Sequence, residues 1–533
     1  MVGLRNFMQI FGRAVVSGYC LLFFSCKEAK ETKMSSPEIS EAYLIEGRQL
    51  SEKHCVSCHL YAPPELLPKH IWKEEVLPRM GAFQGIYEKE SRAELLEKGE
   101  GRSLVLQANV YPENATIDTT DWEKIKAYIL KNAPDELKNN TVELNTRELF
   151  NTETPRARIS PPMSTMVQYE AQSGLIYHGD VKKDYSTINI FDADLKPVQS
   201  LGIRSPAVRI REKNDELWAL LMGSFTSTDA PSGSVIKFSK TEGSTEYTTL
   251  DPVIEGLQRP VDMAFADFDQ DGDEDVVVAQ FGNWAGRLEW FENRGEEQYE
   301  RHLLFQKTGP SRVIAEDLDD NGLTDILVMV TQGEESLYAL INQGNGKFSR
   351  QKLLQLPPTH GSVTFEYIDM DDDGIKDILH VAGDNADYKA ILKPYHGVRI
   401  FKGMGDFSFK EVFFHPINGA YKASPADYDG DGDLDIAVIS FFPDYSTSAK
   451  ESLMMLENRS ERDSLKFEAC TLPGYNTGRW NVMDNGDIDQ DGASDLVLGS
   501  FVIDDPYSSQ SGIKTQWMKD SPMLIVLKNQ WKK

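Results

Sequence analysis

Cysteine is scarce in this chain of 533 residues: there are five, Cys20, Cys26, Cys55, Cys58 and Cys470. So few, so unevenly spread, exclude a disulfide framework as the basis of the fold. Long hydrophobic runs are lacking too. Beyond the N-terminus none reaches the ~18 residues needed to span a bilayer, which excludes a polytopic membrane protein. Positive charge is short: 56 Lys and Arg stand against 84 Asp and Glu, for a formal net charge of −28. Phosphate backbones demand a basic footprint, so nucleic acid is excluded as a partner. The glycine patterns of Rossmann and P-loop sites are absent, and no nucleophile-elbow motif comes with readable triad partners. What remains is a globular composition, 40% hydrophobic and 26% charged. At ~150 residues per domain the length fits three or four domains, or one large repeat domain beside a small one.

The N-terminus carries Arg5 and Arg13, then an apolar stretch over 14–24, then Ser25 and Cys26. A charged region, a short apolar region and a small residue before cysteine make an export signal. It resembles a bacterial lipoprotein signal peptide, which implies that residues 1–25 are removed and Cys26 is lipidated. Phe23 departs from that family's customary Leu. The alternative is ordinary secretory cleavage with Cys26 left as a free thiol. Either way the chain is exported; with the lipid it is membrane-anchored, facing the periplasm or the cell surface, and 26–37 is a tether.

Cys55-Val56-Ser57-Cys58-His59 is the C-x-x-C-H pattern of covalent haem c attachment. Two thiols add across the vinyl groups of one porphyrin, and the next imidazole meets the iron as proximal ligand. A zinc site is the alternative, but one C-x-x-C pair supplies half of the four ligands that zinc takes. The apolar spacing of Ile39, Tyr43, Leu44 and Leu50 predicts a helix over 38–53. A capping box at Thr120–Glu123 predicts a second, with Trp122, Ile125 and Ile129 on one face, ending near Asn132 before Pro134. A helix before the haem motif and another closing the segment resemble a small all-α cytochrome c-like domain over 38–134. That family often places a distal Met just before a proline ahead of the last helix. Here Val110-Tyr111-Pro112 stands there, without Met. Met80 is then the candidate sixth ligand, which would raise the potential and suit electron transfer. The alternatives are His70, or no ligand, with Met80 filling a core gap.

Self-similarity is the strongest signal in the chain. Five stretches share one pattern: Asp267, Asp269, Asp271, Asp275; Asp317, Asp319, Asn321, Asp325; Asp369, Asp371, Asp373, Asp377; Asp427, Asp429, Asp431, Asp435; and Asp487, Asp489, Asp491, Asp495. Oxygen side chains occupy positions 1, 3, 5 and 9, with glycine at 6, and Asp273 adds a further carboxylate to the first. Like charges 4 Å apart repel by about 4 kcal/mol at an effective dielectric of 20, so this density calls for a cation. An all-oxygen donor set points to Ca²⁺, up to five ions. These are not EF-hands: position 12 of the first loop is Val278 rather than Glu. Each loop instead runs into an apolar strand such as Val276–Val278 or Ile326–Val328.

Repeat starts 50, 52, 58 and 60 residues apart, with several short strands per unit, read as a β-propeller with one blade per repeat. The stretch resembles the FG-GAP/VCBS repeats of the integrin α-chain propellers, strongly over 258–533. Strand patterns without the Asp loop at Val167–Phe191 and Ala207–Phe238 add two degenerate blades, which predicts an all-β seven-bladed propeller over 161–533. Residues 135–160 are read as a linker about which the two domains move, and 142–150 as a candidate ring-closing strand. The loops entering each blade's first strand hold Arg204, Arg259, Arg312, His360, Lys422 and Arg479. Their convergence would make a site for an anionic ligand or acidic glycan; the alternative is six separate solvated residues.

Three functions follow. The first is an exported electron-transfer lipoprotein whose haem serves a redox partner protein or a small-molecule donor, while the propeller binds a partner or ligand. The second is an oxidoreductase whose propeller binds substrate and passes electrons to the haem. The third is a surface adhesion or glycan-binding propeller with an ancillary cytochrome.

Overall fold

The computed structural model describes residues 39–139, 143–240, 246–384, 391–445, 449–461, 465–503 and 512–531. The signal segment, Cys26 and the tether lie outside them. No helix among the described residues is long and apolar enough to cross a membrane.

The described residues of the C-terminal part form seven sheets of four strands, one of which gains a fifth. Apart from two strands contributed from ahead of the first blade, the strands of each sheet follow chain order, antiparallel, from the innermost outward. The innermost strand of the last sheet, Trp480–Gly486, packs against that of the first, Ser164–Glu170, and closes a seven-bladed β-propeller. The two blades without Asp loops span 164–203 and 207–257.

The second strand of each Asp-loop blade, for example Asp275–Gln280 or Asp325–Val330, is buried along its whole length. Such continuous apolar strands lie between neighbouring sheets, and the hydrophobic clusters join adjacent blades rather than filling single ones. Every innermost strand carries a β-bulge between its first and third residues. A bulge re-aims the residues after it, so it decides which side chains meet the central channel.

Two strands come from the stretch between the helices and the first blade. Asn145–Thr146 pairs in parallel with Phe467–Thr471 as a fifth strand of the sixth blade. Phe150–Glu153 pairs antiparallel with Leu524–Asn529 and supplies the outermost strand of the seventh. The last blade is thereby stitched from both sides of the ring in sequence.

Ahead of the propeller lies a helical region. Its longer helices are α1 (Glu41–His54), α2 (Leu77–Phe83), α3 (Gly101–Gln107) and α4 (Thr119–Asn132). The N-cap of α4 is Asp118, which accepts the Thr120 N–H at 2.7 Å, so the cap lies two residues before the expected Thr120 box. Trp122, Ile125 and Ile129 are buried on one face, as their spacing predicts. Helix α1 crosses α4 at Gly47, where a Cβ would stand 2.2 Å from the Lys124 carbonyl oxygen; only glycine allows this approach.

The helical region packs on the propeller. Trp284 of the third blade meets Phe83 and Tyr111 edge-on, at centroid distances of 5.6 and 5.8 Å. Glu97 accepts the Asp229 N–H at 2.8 Å and the Thr228 hydroxyl. Asp229 in turn accepts the N–H groups of Asn283, Trp284 and Ala285, each at 2.9 Å. Tyr395 donates its hydroxyl to the Leu66 carbonyl at 2.7 Å. Residues 42–533 thus form one compact unit.

Candidate functional site

The Asp loops join the first and second strands of blades three to seven. In each, the first Asp folds the turn: Asp317 accepts the Asn321 N–H at 3.2 Å and the Gly322 N–H at 2.8 Å. Asp267, Asp369 and Asp487 do the same within their loops, and Asp427 accepts from Gly430 and Gly432. The glycine at position 6 has positive φ in all five, from 82° at Gly374 to 98° at Gly432. A Cβ at Gly272, Gly322, Gly374 or Gly432 would touch nothing within 4 Å, so backbone conformation rather than space requires glycine there.

Carboxylate oxygens of Asp267, Asp269 and Asp271 come within 4.8 Å of one another, as do those of Asp317, Asp319 and Asp325. The sets Asp369, Asp371, Asp377 and Asp427, Asp429, Asp435 match them. These acidic clusters are compatible with calcium.

Position 9 has a second role that the sequence pattern does not separate from ligation. Asp325 is fully buried and accepts the Leu318 N–H at 2.8 Å and the Asn342 N–H at 2.6 Å. Asp275, Asp377, Asp435 and Asp495 make the same pair of bonds, each reaching the end of the blade's third strand. Burial pushes Asp275 and Asp495 up to about 6 and Asp435 up to about 7.

The loops differ in built-in cations. Lys402 pairs with Asp371 and, at 2.8 Å, with Asp373. Arg459 lies 3.4 Å from Asp429 and 3.8 Å from Asp431. Among the described residues no such ion pair reaches Asp317, Asp319, Asp487, Asp489 or Asp491.

At the end of α1 a short 3₁₀ turn, Cys55–Ser57, presents the C-x-x-C-H residues. Cys55 is half-buried and Cys58 exposed, both free thiols. Burial pushes the Cys55 thiol up to about 11, with nearby Cys58 adding to the shift. The His59 Nδ1 lies 2.7 Å from the Leu60 carbonyl, the contact that fixes Nδ1 as donor and leaves Nε2 free to ligate. Met80, on α2, packs against the helical core that holds Trp72, Ile86, Trp122 and Ile125. His70 is exposed. In that core the Trp122 Nε1–H is buried with no acceptor among the described residues.

The third arrangement is the propeller channel, a cavity of about 280 Å³. Of the six basic residues expected there, Arg259, Arg312 and Lys422 line it. Arg204 is exposed outside it. His360 is stacked on Tyr395 at 4.9 Å, and burial pulls it down to about 3, so it brings no positive charge. Arg479 is fully buried, donates to the Phe441 and Ile503 carbonyls at 3.2 and 3.1 Å, and lies 3.6 Å over the Phe441 ring. Sequence reasoning missed Arg209, Asp262 and Glu366, which complete the charged lining. The missing signal was the bulge: counted from it, Arg209, Asp262, Arg312 and Lys422 hold one equivalent position in four blades.

No curated protein matches the chain. Solved structures are similar to it at low identity. The N-terminal domain of Nup159 is 12% identical, with 73% of this chain and 98% of that one covered at a TM-score of 0.39. The Cps50 (Swd1) propeller of Myceliophteria thermophila is 10% identical over 71% of this chain and 99% of that one, TM-score 0.40. The Dos1 propeller is 10% identical over 69% and 78%, TM-score 0.41. The FG-GAP-like repeat family matches residues 267–328 and 317–380. Each match opens on an Asp loop and runs into the next blade, so the chain carries FG-GAP-like repeats within a seven-bladed β-propeller.

Proposed function

We propose that the chain is an exported c-type cytochrome that transfers electrons through one covalent haem c, held on a calcium-stabilised propeller. The observation that carries this reading is the C-x-x-C-H turn at the end of α1, with His59 Nδ1 against the Leu60 carbonyl and Nε2 free. Cys55 and Cys58 would hold the porphyrin edge and His59 the iron, with Met80 as the candidate distal ligand. When bound, the haem supplies one-electron redox chemistry. The residues present fit the group. The crossing of α1 over α4 at Gly47 matches a helix before the motif packed on a closing helix. The unpartnered Trp122 Nε1–H is a buried donor that a bound acceptor would satisfy. One C-x-x-C pair supplies only half of the four ligands that a zinc site takes. The aromatic contacts around Trp284 seat the helical region on the propeller, where a redox partner protein or small donor would meet it. Lipidation at Cys26 would anchor the chain to a membrane.

The test is the visible spectrum of protein made with haem c maturation, oxidised and reduced. A covalent c-type spectrum, lost in Cys58→Ala and stripped of its Met–iron charge-transfer band in Met80→Leu, is the expected result. A c-type spectrum indifferent to Met80→Leu assigns the sixth position to His70 or leaves it open. No haem at all removes the redox reading.

A further inference from the structure

We propose that the propeller channel binds a small aryl or alkyl carboxylate, seated against the Lys422 ammonium. Four cations, Arg209, Arg259, Arg312 and Lys422, line the cavity beside two carboxylates, Asp262 and Glu366. This excess of positive charge lies inside a chain whose net charge is −28.

The two carboxylates are already engaged. Asp262 accepts from Arg312 at 3.1 Å and from the Val313 N–H at 3.0 Å, and lies 3.6 Å from Arg209. The other arm of Arg312 reaches Glu366 at 3.3 Å. Lys422 makes no hydrogen bond or ion pair with any described residue. Burial pulls its ammonium pKa down, against the opposing field of Asp484 and Glu366. Lys422 is partly buried in the cavity wall without a direct partner, and a ligand carboxylate would bring it a counter-charge.

The remaining lining selects the class. Arg312's fork is filled by Asp262 and Glu366, so beside it the group left to meet a ligand is the single Lys422 ammonium. One point charge matches one carboxylate. The Ser311 hydroxyl and the Asn481 side-chain oxygen, both in the lining, are buried without partners among the described residues and suit a second polar group. Val208, Val261, Met222 and Phe281 offer apolar surface for the rest of the ligand. At the end where the second strands finish, Tyr421, Phe441 and Phe501 form an aromatic collar, with Phe225 stacked on Phe501 at 5.0 Å and 42% exposed.

Calorimetric titration of the full chain with phenylacetate tests the proposal without reference to haem content. Saturable binding is expected, weakened at least tenfold in Lys422→Met and held within a few-fold in Lys422→Arg. Benzyl alcohol, the same ring without the charge, is expected to bind at least tenfold more weakly. Absence of phenylacetate binding, equal binding by Lys422→Met, or displacement by phosphate or chloride at equal concentration would overturn it. The melting temperature of ligand-free Lys422→Met separates a site from a strut. A rise or no change fits an ammonium held for a ligand, whereas a fall of several degrees makes Lys422 structural and overturns the assignment.

Discussion

Position 9 of the Asp loops separates two kinds of aspartate that look alike in sequence, and the second loop is the place to test it. Asp325 is fully buried and accepts two backbone N–H groups, at 2.8 and 2.6 Å. Hydrogen bonds to a charged acceptor contribute about 1.5–3 kcal/mol each, so Asp325→Ala should cost about 3–6 kcal/mol, with or without metal. Asp319 is exposed and accepts one long bond, 3.3 Å from the Asn321 nitrogen. Its removal should cost little in chelator. With calcium at about 10 mM and an affinity of 10⁻⁴ to 10⁻³ M, typical of extracellular modules, the bound ion contributes about 1.4–2.7 kcal/mol. Asp319→Ala should lose that and no more. A chain of this size does not unfold in one step, so a local readout is needed. Amide exchange of peptides containing Leu318 and Asn342 provides one, because these are the donors Asp325 holds. Asp325→Ala should reduce their protection roughly a hundredfold or more in both media. The reasoning fails if the Asp325→Ala effect vanishes in chelator, which would make position 9 a metal ligand and nothing else. It fails equally if Asp319→Ala is as damaging in chelator as in calcium.

Lys402 sits on Asp371 and Asp373, so the third loop must surrender an internal cation before it binds another. Lys402→Met should therefore tighten calcium binding at this loop several-fold, read by titration with a luminescent lanthanide, while Asp371→Ala should abolish it. Glu335 is buried, and burial, offset by the Ser362 N–H at 2.8 Å and by Lys393, pushes its carboxyl up to about 8 from an ordinary 4.5. A carboxyl whose folded value is raised favours the fold while protonated: its contribution is complete below about 4.5 and is lost as pH rises through about 8. The melting temperature should fall between these pH values, and Glu335→Gln should flatten that part of the profile; an unchanged profile would show that Glu335 ionises without cost.

Much of the propeller was legible because its signals are local. Asp-rich turns followed by apolar runs mark second strands directly, and Val276–Val278 and Ile326–Val328 are indeed buried throughout. The degenerate first two blades could be counted by length and strand pattern. The features that escaped depend on three-dimensional register. A one-residue bulge after the first residue of each innermost strand moves the channel-facing position, so the basic loop residues chosen from sequence include Arg479, turned into a buried carbonyl cage, and omit Arg209. Similarly, Asp118 rather than Thr120 caps α4, because a cap is chosen by backbone geometry among neighbouring candidates. Trp284 gives no sequence sign of its role, since a loop aromatic that receives a helical region looks like any exposed ring.

The strand order places the acidic loops and the helical region at opposite ends of the blades, and this constrains what calcium can do. Asp loops join first to second strands. The segments that touch the helical region, around Asp229, Trp284 and Tyr395, join second to third strands. Because consecutive strands are antiparallel, these two kinds of connection leave opposite edges of a sheet. The second strands are six residues long, as in Asp275–Gln280, so at ~3.3 Å per residue about 20 Å separates the ends. A unit charge pair at that distance in water interacts by about 0.2 kcal/mol before screening. A Debye length of about 8 Å at physiological ionic strength removes most of that. Calcium bound at the loops would therefore act on blade stability and not on the electrostatics of the haem proposed at Cys55 and Cys58. Chelation should lower the melting temperature of the propeller while leaving the haem spectrum and midpoint potential where they were. A potential that moves by tens of millivolts on chelation would place a cation beside the helical region instead, and would require ligands other than the Asp loops.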